Sequence, residues 1–311
     1  WPDPGTGTFR PCGLRPARPI IRPFRGRPTR AFSAEDVMAV TSPRFTSSRA
    51  LHAVSNNAPP LRKGARGRAV HLVQFALLDL GHSLPRSTRG AFSPDGIYGD
   101  ETVSVVKAFQ RSRHIPDHGE IGRDTLRHLD AAFARPGHRV AVNFRSLALT
   151  NTSFADSLRN ARTVYGQYGF DFHFASGESL MLTPAQTALF DQIDQDCNWN
   201  VSSGEYDALH RLGSPCPHNQ VKVYFVRHMR GVLGCGGHAP NRPTATVAAA
   251  AWRWDMGHEV GHVLLTSSFS PVHAPHARNL MNAFPADNAV VKVLTDSQVR
   301  QMRRHPCCTV V

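Results

Sequence analysis

The chain has 311 residues, of which 41% are hydrophobic and 19% charged, which is enough for two modest domains and excludes a wholly disordered protein. No run of 18 or more apolar residues occurs, so the sequence predicts no membrane-spanning helix. The net charge of +13 is uneven, because residues 1–63 carry eleven Arg or Lys against three acids. We therefore predict no nucleic-acid partner, and the mildly basic remainder is compatible with an anionic wall polymer.

The first 58 residues are rich in Pro and Arg and lack sustained hydrophobic periodicity. We expect a disordered leader or tail over residues 1–58. The stretch RPCGLRPARPIIRPFRGRP has the charge of a signal-peptide n-region but no apolar core of seven residues, so a signal peptide is not legible. Pro59-Pro60 then marks the start of ordered structure.

An internal repeat runs through residues 61–133. The segments GARGRAV (64–70), GIYGDET (96–102) and GEIGRDT (119–125) share the pattern G-x-x-G-x-x-[T/V], and a helical pattern follows each one. The apolar positions of these patterns are Val70, Val73, Leu77 and Leu80; Val103, Val106 and Phe109; and Leu126 and Leu129. Glycine tolerates the positive φ of tight turns that lead into helices. The repeat therefore predicts a small all-α domain of three helices over residues 59–133, the first helix ending at Gly81.

These segments resemble the three-helix type of peptidoglycan-binding domain. The matching stretches are LRKGARGRAVHLVQFALLDLG, DGIYGDETVSVVKAFQRSRHI and GEIGRDTLRHL, and residues 82–94 are an insert that we expect to form a surface loop. The resemblance implies that the domain binds peptidoglycan in the cell wall. The alternative is a domain that binds no wall polymer, since related modules also serve as prodomains in animal matrix metalloproteases.

After a short linker at residues 134–138, strand and helix patterns alternate. Strands are predicted at 139–149, 170–176, 221–229 and 244–251, and helices at 153–169, around His258 and at 294–305. This order predicts an α/β (α+β) domain over residues 139–311, in which helices cover a mixed sheet. Ser153 and Thr295 are the predicted N-caps of the first and last of these helices.

His258, Glu259 and His262 form an H-E-x-x-H pattern. Residues four apart lie on one face of a helix, so both imidazoles can bind one ion while Glu259 acts as general base. Zinc suits this set because it takes imidazole nitrogens and leaves a coordination position open. The alternative is a pair of surface histidines, but the apolar stretch VAAAAWRWDMG before them favours a helix in the core, where polar groups need partners.

Residues 139–311 resemble the metzincin clan of zinc peptidases. The matching segments are VAVNF, VKVYFV, HEVGH and NLM (279–281). The resemblance implies a metzincin-like zincin domain with an active-site helix and a closing C-terminal helix. It also implies that Met281 lies in a Met-turn beneath the metal without binding it; plain core packing of Met281 is the alternative.

The chain departs from the clan's pattern at the third metal ligand. The clan has a Gly and a His where this sequence has Leu265 and Ser268. We predict that His273 replaces the missing ligand, because it is the first histidine downstream and a loop of about ten residues at roughly 3.3–3.6 Å each can reach back. His276 is the alternative ligand, Asp287 is a weaker one, and an inert site is the last alternative.

The six cysteines contain no C-x-x-C pair, which argues against a cysteine zinc knuckle. Five of them lie in the C-terminal half, which favours disulfides of a secreted domain over buried free thiols, with the pairing left open. We expect GCGGHAP (234–240) to form the rim of a substrate cleft, with Cys235 in a disulfide and His238 structural. No G-x-S-x-G motif and no linker cysteine for a cysteine switch occurs.

These observations together predict a secreted, extracellular or cell-wall-associated zinc metallopeptidase of bacterial type, acting as a monomer. It would hydrolyse protein or peptide substrates, and its N-terminal module would hold it at peptidoglycan. No cofactor besides zinc is predicted. The alternatives are a peptidoglycan cross-bridge endopeptidase or amidase, and a non-catalytic wall-binding protein with a degenerate metal site.

Overall fold

The computed structural model describes residues 38–88, 93–284 and 290–311. The helices are α1 Arg49–Ser55, α2 Arg68–Asp79, α3 Asp100–Ser112, α4 Arg123–Ala132, α5 Phe154–Gly166, α6 Pro184–Leu189, α7 Gly204–His210, α8 Asp255–Leu265 and α9 Asp296–Arg304. The strands are β1 His138–Ser146, β2 Phe170–Ser179, β3 Gln192–Ile193, β4 Val221–Val226, β5 His228–Met229, β6 Gly234–Cys235, β7 Thr244–Ala248 and β8 Cys308–Val310. Over these ranges, none of the helices combines the length and the apolar character needed to cross a bilayer.

The three helices predicted from the repeat are α2, α3 and α4, and two buried glutamines explain why the turns between them recur. In α2, the side-chain amide of Gln74 accepts a hydrogen bond from the N–H of Gly96. The same amide donates to the carbonyl of Ile97 and to the hydroxyl of Thr102. In α3, Gln110 makes the same three bonds beginning at Gly119. The glutamine and its glycine are 22 residues apart in the first case and 9 in the second. The difference of 13 residues equals the length of the predicted insert, 82–94. Residues 89–92 of this insert lie outside the described ranges.

Residues 38–58 are folded, so the prediction of a disordered leader is wrong for this stretch. They include α1, which Ser48 caps by accepting from the N–H of Leu51. Their apolar side chains are too few to show a periodicity in the sequence, yet they complete the core of the helical domain. The buried ones are Val40, Phe45, Leu51 and Val54. The rest of the predicted leader, residues 1–37, lies outside the described part of the chain.

A mixed sheet forms the centre of the α/β region, as predicted. Its strand order is β2-β1-β4-β7-β6, with the first four strands parallel and β6 antiparallel at the edge. The short strand β8 pairs antiparallel with the start of β1. The four predicted strands correspond to β1, β2, β4 and β7, and the predicted N-caps Ser153 and Thr295 both accept from backbone N–H groups at the start of their helices.

Helix α8 crosses the sheet and is buried along its whole length. It contacts β7 and the helices α5 and α9, and its apolar residues Val260, Val263 and Leu264 belong to the main core. The hydroxyl of Tyr165 in α5 donates to the carbonyl of Gly257 at 2.9 Å, which fixes the first turn of α8. The opposite side of the helix carries the H-E-x-x-H side chains.

The helical domain is docked on the α/β region through Asp79 at the end of α2. Arg303 of α9 donates two hydrogen bonds of 2.9 Å to this carboxylate, and Arg44 donates a third of 2.5 Å. Burial alone raises the pKa of Asp79, but the two guanidinium groups outweigh it and hold the pKa below its ordinary 3.8. Beside this cluster, the ring of Phe75 packs edge-on against Tyr168, with centroids 4.9 Å apart. The predicted linker, 134–138, thus connects two parts that are in direct contact.

Candidate metal centre and substrate cleft

Three histidines converge on one point above α8. The Nε2 atoms of His258 and His262 are 2.9 Å apart, and Nε2 of His273 is 3.1 Å from that of His262. The potential ligand atoms of these three histidines all lie within 4.8 Å of one another. Among the described residues, they are the cluster of side chains that could hold a metal ion. His276 is exposed and outside this group, and its Nδ1 accepts from the N–H of Arg278. Asp287, the weaker alternative, lies outside the described residues.

The backbone after His273 explains how this histidine reaches the site. Helix α8 ends at Leu265, and the following loop returns over the helix. The N–H of Ala274 donates to the carbonyl of Met281 at 2.6 Å, and its carbonyl accepts from the side chain of Asn282 at 2.9 Å. The turn at 279–282 therefore holds the loop that carries His273.

The spacing and protonation of the three imidazoles fit a tetrahedral zinc ion. Metal–nitrogen bonds of about 2.0–2.1 Å separate two ligand nitrogens by about 3.3 Å, close to the distances found here. Burial lowers the pKa of His258 to about 4 and that of His262 to about 2, and it lowers the pKa of His273 as well. These shifts favour the neutral imidazole, which is the form that binds a metal ion. Nδ1 of His258 faces the carbonyl of Leu280 at 2.7 Å, which orients its Nε2 towards the other rings.

Met281 lies directly beneath this cluster and is fully buried. A Cβ atom at Gly261, between the two helical histidines, would lie 2.4 Å from the sulfur of Met281. Glycine at this position therefore allows the thioether to pack against the backbone of α8. The N–H of Met281 donates to the side chain of Asn279 at 2.8 Å, which holds the turn.

Glu259 is held by the edge strand β6 and the residue after it. Its carboxylate accepts a hydrogen bond from the backbone N–H of Gly236. A Cβ atom at Gly234 would lie 2.5 Å from Oε1 of Glu259, so only glycine leaves room for the carboxylate. Burial raises the pKa of Glu259 well above its usual value, the charge of Asp255 raises it further, and the Gly236 N–H opposes both. Gly234 and Gly236 belong to the segment 234–240 that was expected at the rim of the cleft, whereas no pattern in the sequence pointed to Asp255.

The histidines and Glu259 open into a cleft of about 750 Å³. The apolar residues that line it are Trp199, Met229, Val232, Leu233, Trp252, Val272, Ala283 and Phe284. Apart from the histidines, its ionisable residues are the two acids Asp255 and Glu259, and none of the described lining residues is Arg or Lys. The cleft is therefore mostly apolar, and its ionisable groups among the described residues are the three histidines and these two acids.

A disulfide closes one side of the cleft. Cys197 is bonded to Cys235 of β6, which confirms the prediction for Cys235. The segment after Cys197 is also tied down by the N–H of His238, which donates to the carbonyl of Trp199 at 3.2 Å. This places the Trp199 ring edge-on to His262, 5.5 Å between centroids, while His238 itself does not line the cleft. Among the described residues, Cys216, Cys307 and Cys308 are free thiols.

Comparison with known proteins identifies the helical domain. The family described as "Putative peptidoglycan binding domain" matches residues 66–129, which confirms the expected peptidoglycan-binding domain in this part of the chain. A protein of Bacillus licheniformis named "Probable N-acetylmuramoyl-L-alanine amidase" is 39% identical over 74 residues, which is 24% of this chain and 20% of that protein. The chain thus matches about a fifth of the length of this curated relative.

Proposed function

We propose that the protein is a zinc-dependent hydrolase that cleaves amide bonds of peptidoglycan. The convergence of three imidazole nitrogens beside a buried glutamate, in a chain with a peptidoglycan-binding domain, is the observation that carries this proposal. The relative named as an amidase favours an amide bond of the wall over the protein substrates expected from sequence. Both substrates call for the same chemistry, since each contains a neutral amide carbonyl.

His258, His262 and His273 would hold the zinc ion, which when bound supplies a Lewis acid that polarises the amide carbonyl and acidifies water. Glu259 takes the proton of the attacking water on its carboxylate and passes it to the departing amine. The N–H of Gly236 orients the carboxylate during both transfers.

The helical domain would keep the enzyme on its substrate. Binding to peptidoglycan raises the local concentration of the cleavable bond at the cleft. The Cys197–Cys235 disulfide supports a secreted or wall-associated location, because such bonds persist in oxidising compartments.

The test uses the full chain, purified and reconstituted with zinc. We expect about one zinc per chain and release of soluble fragments from isolated sacculi. Glu259→Gln should retain the zinc and lose about 10²–10⁴-fold in rate, the usual contribution of a general acid–base group. Less than about a tenth of a zinc per chain after reconstitution would support the non-catalytic alternative. Unchanged activity of the Glu259→Gln variant would overturn the role of this residue.

Protein hydrolysis is a second candidate function, and the position of β6 favours it. This strand pairs with β7 on one side, and both its residue Gly234 and the following residue, Gly236, line the cleft. An extended peptide can add to an exposed strand edge through backbone hydrogen bonds. The Met281 turn beneath the histidines is also similar to the Met-turn of metzincin peptidases. Casein and sacculi offered separately distinguish the two functions, since hydrolysis of casein alone would favour this candidate.

A further inference from the structure

Trp252 exposes a large indole in the wall of the cleft. It is 42% exposed, whereas Trp254, two residues later, is 3% exposed and belongs to the core. The N–H of Trp252 donates to the carboxylate of Asp255 at 2.8 Å, which fixes its backbone at the start of α8. The indole thus lines the cleft from a position just ahead of α8, six residues before His258, where core packing does not require it.

The rest of the cleft indicates what this indole would contact. The surrounding wall includes the half-exposed side chains of Val232 and Leu233, and none of the described lining residues carries a positive charge. A ligand with a free carboxylate next to the scissile bond would find no Arg or Lys there, which argues against release of a chain-terminal residue. A pyranose ring is uncharged and presents a flat face of C–H groups. Such a face packs on an indole while its polar edge remains in water.

We propose that Trp252 is the stacking platform for the amino-sugar ring of peptidoglycan, and that the enzyme cleaves the amide joining the lactyl group of this sugar to the stem peptide. This inference rests on the proposed function. In the reaction the amide C–N bond breaks, the acyl carbon gains the hydroxyl of water, and the nitrogen gains a proton. The products are a lactyl carboxylate and a free peptide N-terminus. A peptide cross-bridge has no sugar next to its scissile bond and would leave Trp252 without a partner.

The experiment compares an N-acetylmuramoyl peptide with the same peptide carrying an N-acetyl group in place of the sugar. We expect the wild-type enzyme to prefer the sugar-bearing substrate in kcat/KM. Trp252→Ala should reduce this preference about 2- to 10-fold, the range for an aromatic contact of about 0.5–1.5 kcal/mol, and Trp252→Phe should keep most of it. Met181→Ala is the matched control, because Met181 is 95% exposed and lies outside the cleft.

Mass spectrometry of digested sacculi separates failure of this inference from failure of the proposed function. New N-termini at the first stem residue, with sugars that end in a free lactyl carboxylate, support the inference. Soluble fragments cut only between amino acids would overturn it and leave the wall hydrolase in place. No release from sacculi by zinc-loaded enzyme would overturn the proposed function itself. An equal loss of kcat/KM on both substrates in Trp252→Ala, with zinc content unchanged, would also count against the stacking role.

Discussion

Substitution of Gly236 by Ala tests whether the backbone next to β6 sets the position of Glu259, the proposed general base. An ideal Cβ atom at this position would lie 2.4 Å from Cβ of His262 and 2.7 Å from the carbonyl oxygen of Glu259. Carbon atoms in contact are normally about 3.5–4.0 Å apart, so the strand and the helix must separate by about 1 Å. Both neighbours belong to a buried helix, where neither atom is the flexible end of a side chain.

The expected magnitude follows from this displacement. Overpacking of a core by one methyl group costs typically about 1–3 kcal/mol of the free energy of unfolding. A misplacement of about 1 Å in a catalytic group lowers the rate by about 10²-fold. The N–H of Gly236 moves away from the carboxylate of Glu259 in the same step, because the added methyl group pushes the two backbones apart.

The assay measures kcat/KM on sacculi, zinc content, and urea unfolding of Gly236→Ala beside Gly137→Ala. Gly137 is a suitable control because a Cβ atom there meets nothing within 4 Å. We expect the control to match the wild type in all three measurements. If Gly236→Ala keeps wild-type activity and stability, the close approach of strand and helix does not determine the site, and the reasoning is refuted.

Three further predictions concern the metal, the docking contact and pH. His273→Ala should weaken zinc binding by more than about 100-fold in competition with a chromophoric chelator, whereas His276→Ala should change it little; the reverse result would assign the ligand to His276. Asp79→Ala should lower the free energy of unfolding in urea at pH 7 by about 3–5 kcal/mol, because Arg44, 2% exposed, loses its counter-charge; an unchanged midpoint would contradict this. Burial, together with the charge of Arg242, lowers the pKa of His210 from 6.5 to about 3. As the pH falls, the unfolded chain therefore takes up this proton before the folded protein does. The contribution of neutral His210 to the free energy of unfolding is present above pH 6.5 and is lost as the pH falls towards 3. Between pH 7 and 4, the free energy of unfolding of His210→Gln should change with pH by up to about 1.4 kcal/mol per pH unit less than that of the wild type. An identical pH dependence would exclude His210 as the source of this effect.

Helices α2 to α5, α8 and α9 and the central strands could be predicted because their signals are local. Periodic apolar residues, glycine turns and the caps Ser153 and Thr295 all act within one element. The H-E-x-x-H spacing likewise places His258 and His262 on one face of α8, whatever the rest of the chain does. His273 was expected only because it follows closely in sequence, and the reason it reaches the site is the hydrogen bond between Ala274 and Met281.

The features that were not predicted depend on contacts between distant residues. Strand β6 has two residues, too few for an alternating pattern. It matters for the site because Gly234 lies against the side chain of Glu259, which is more than twenty residues further along the chain. Cys197 and Cys235 are 38 residues apart, and composition does not determine their pairing. The proposed substrate was hard to predict for another reason, since an H-E-x-x-H pattern indicates a kind of chemistry and not which molecule enters the cleft.

Under the proposed function, the contact between Asp79 and Arg303 would also limit which bonds the protein can cut. A catalytic domain on a flexible tether would sample every bond within the length of that tether. Docking would replace this sampled volume with one fixed distance and orientation between the cleft and the part of the wall polymer that the helical domain binds. To reach the next bond, the protein would have to dissociate from the polymer and bind again further along it. Tighter anchoring would therefore slow progress along the wall, so that retention on the polymer and the number of bonds cut per minute oppose each other.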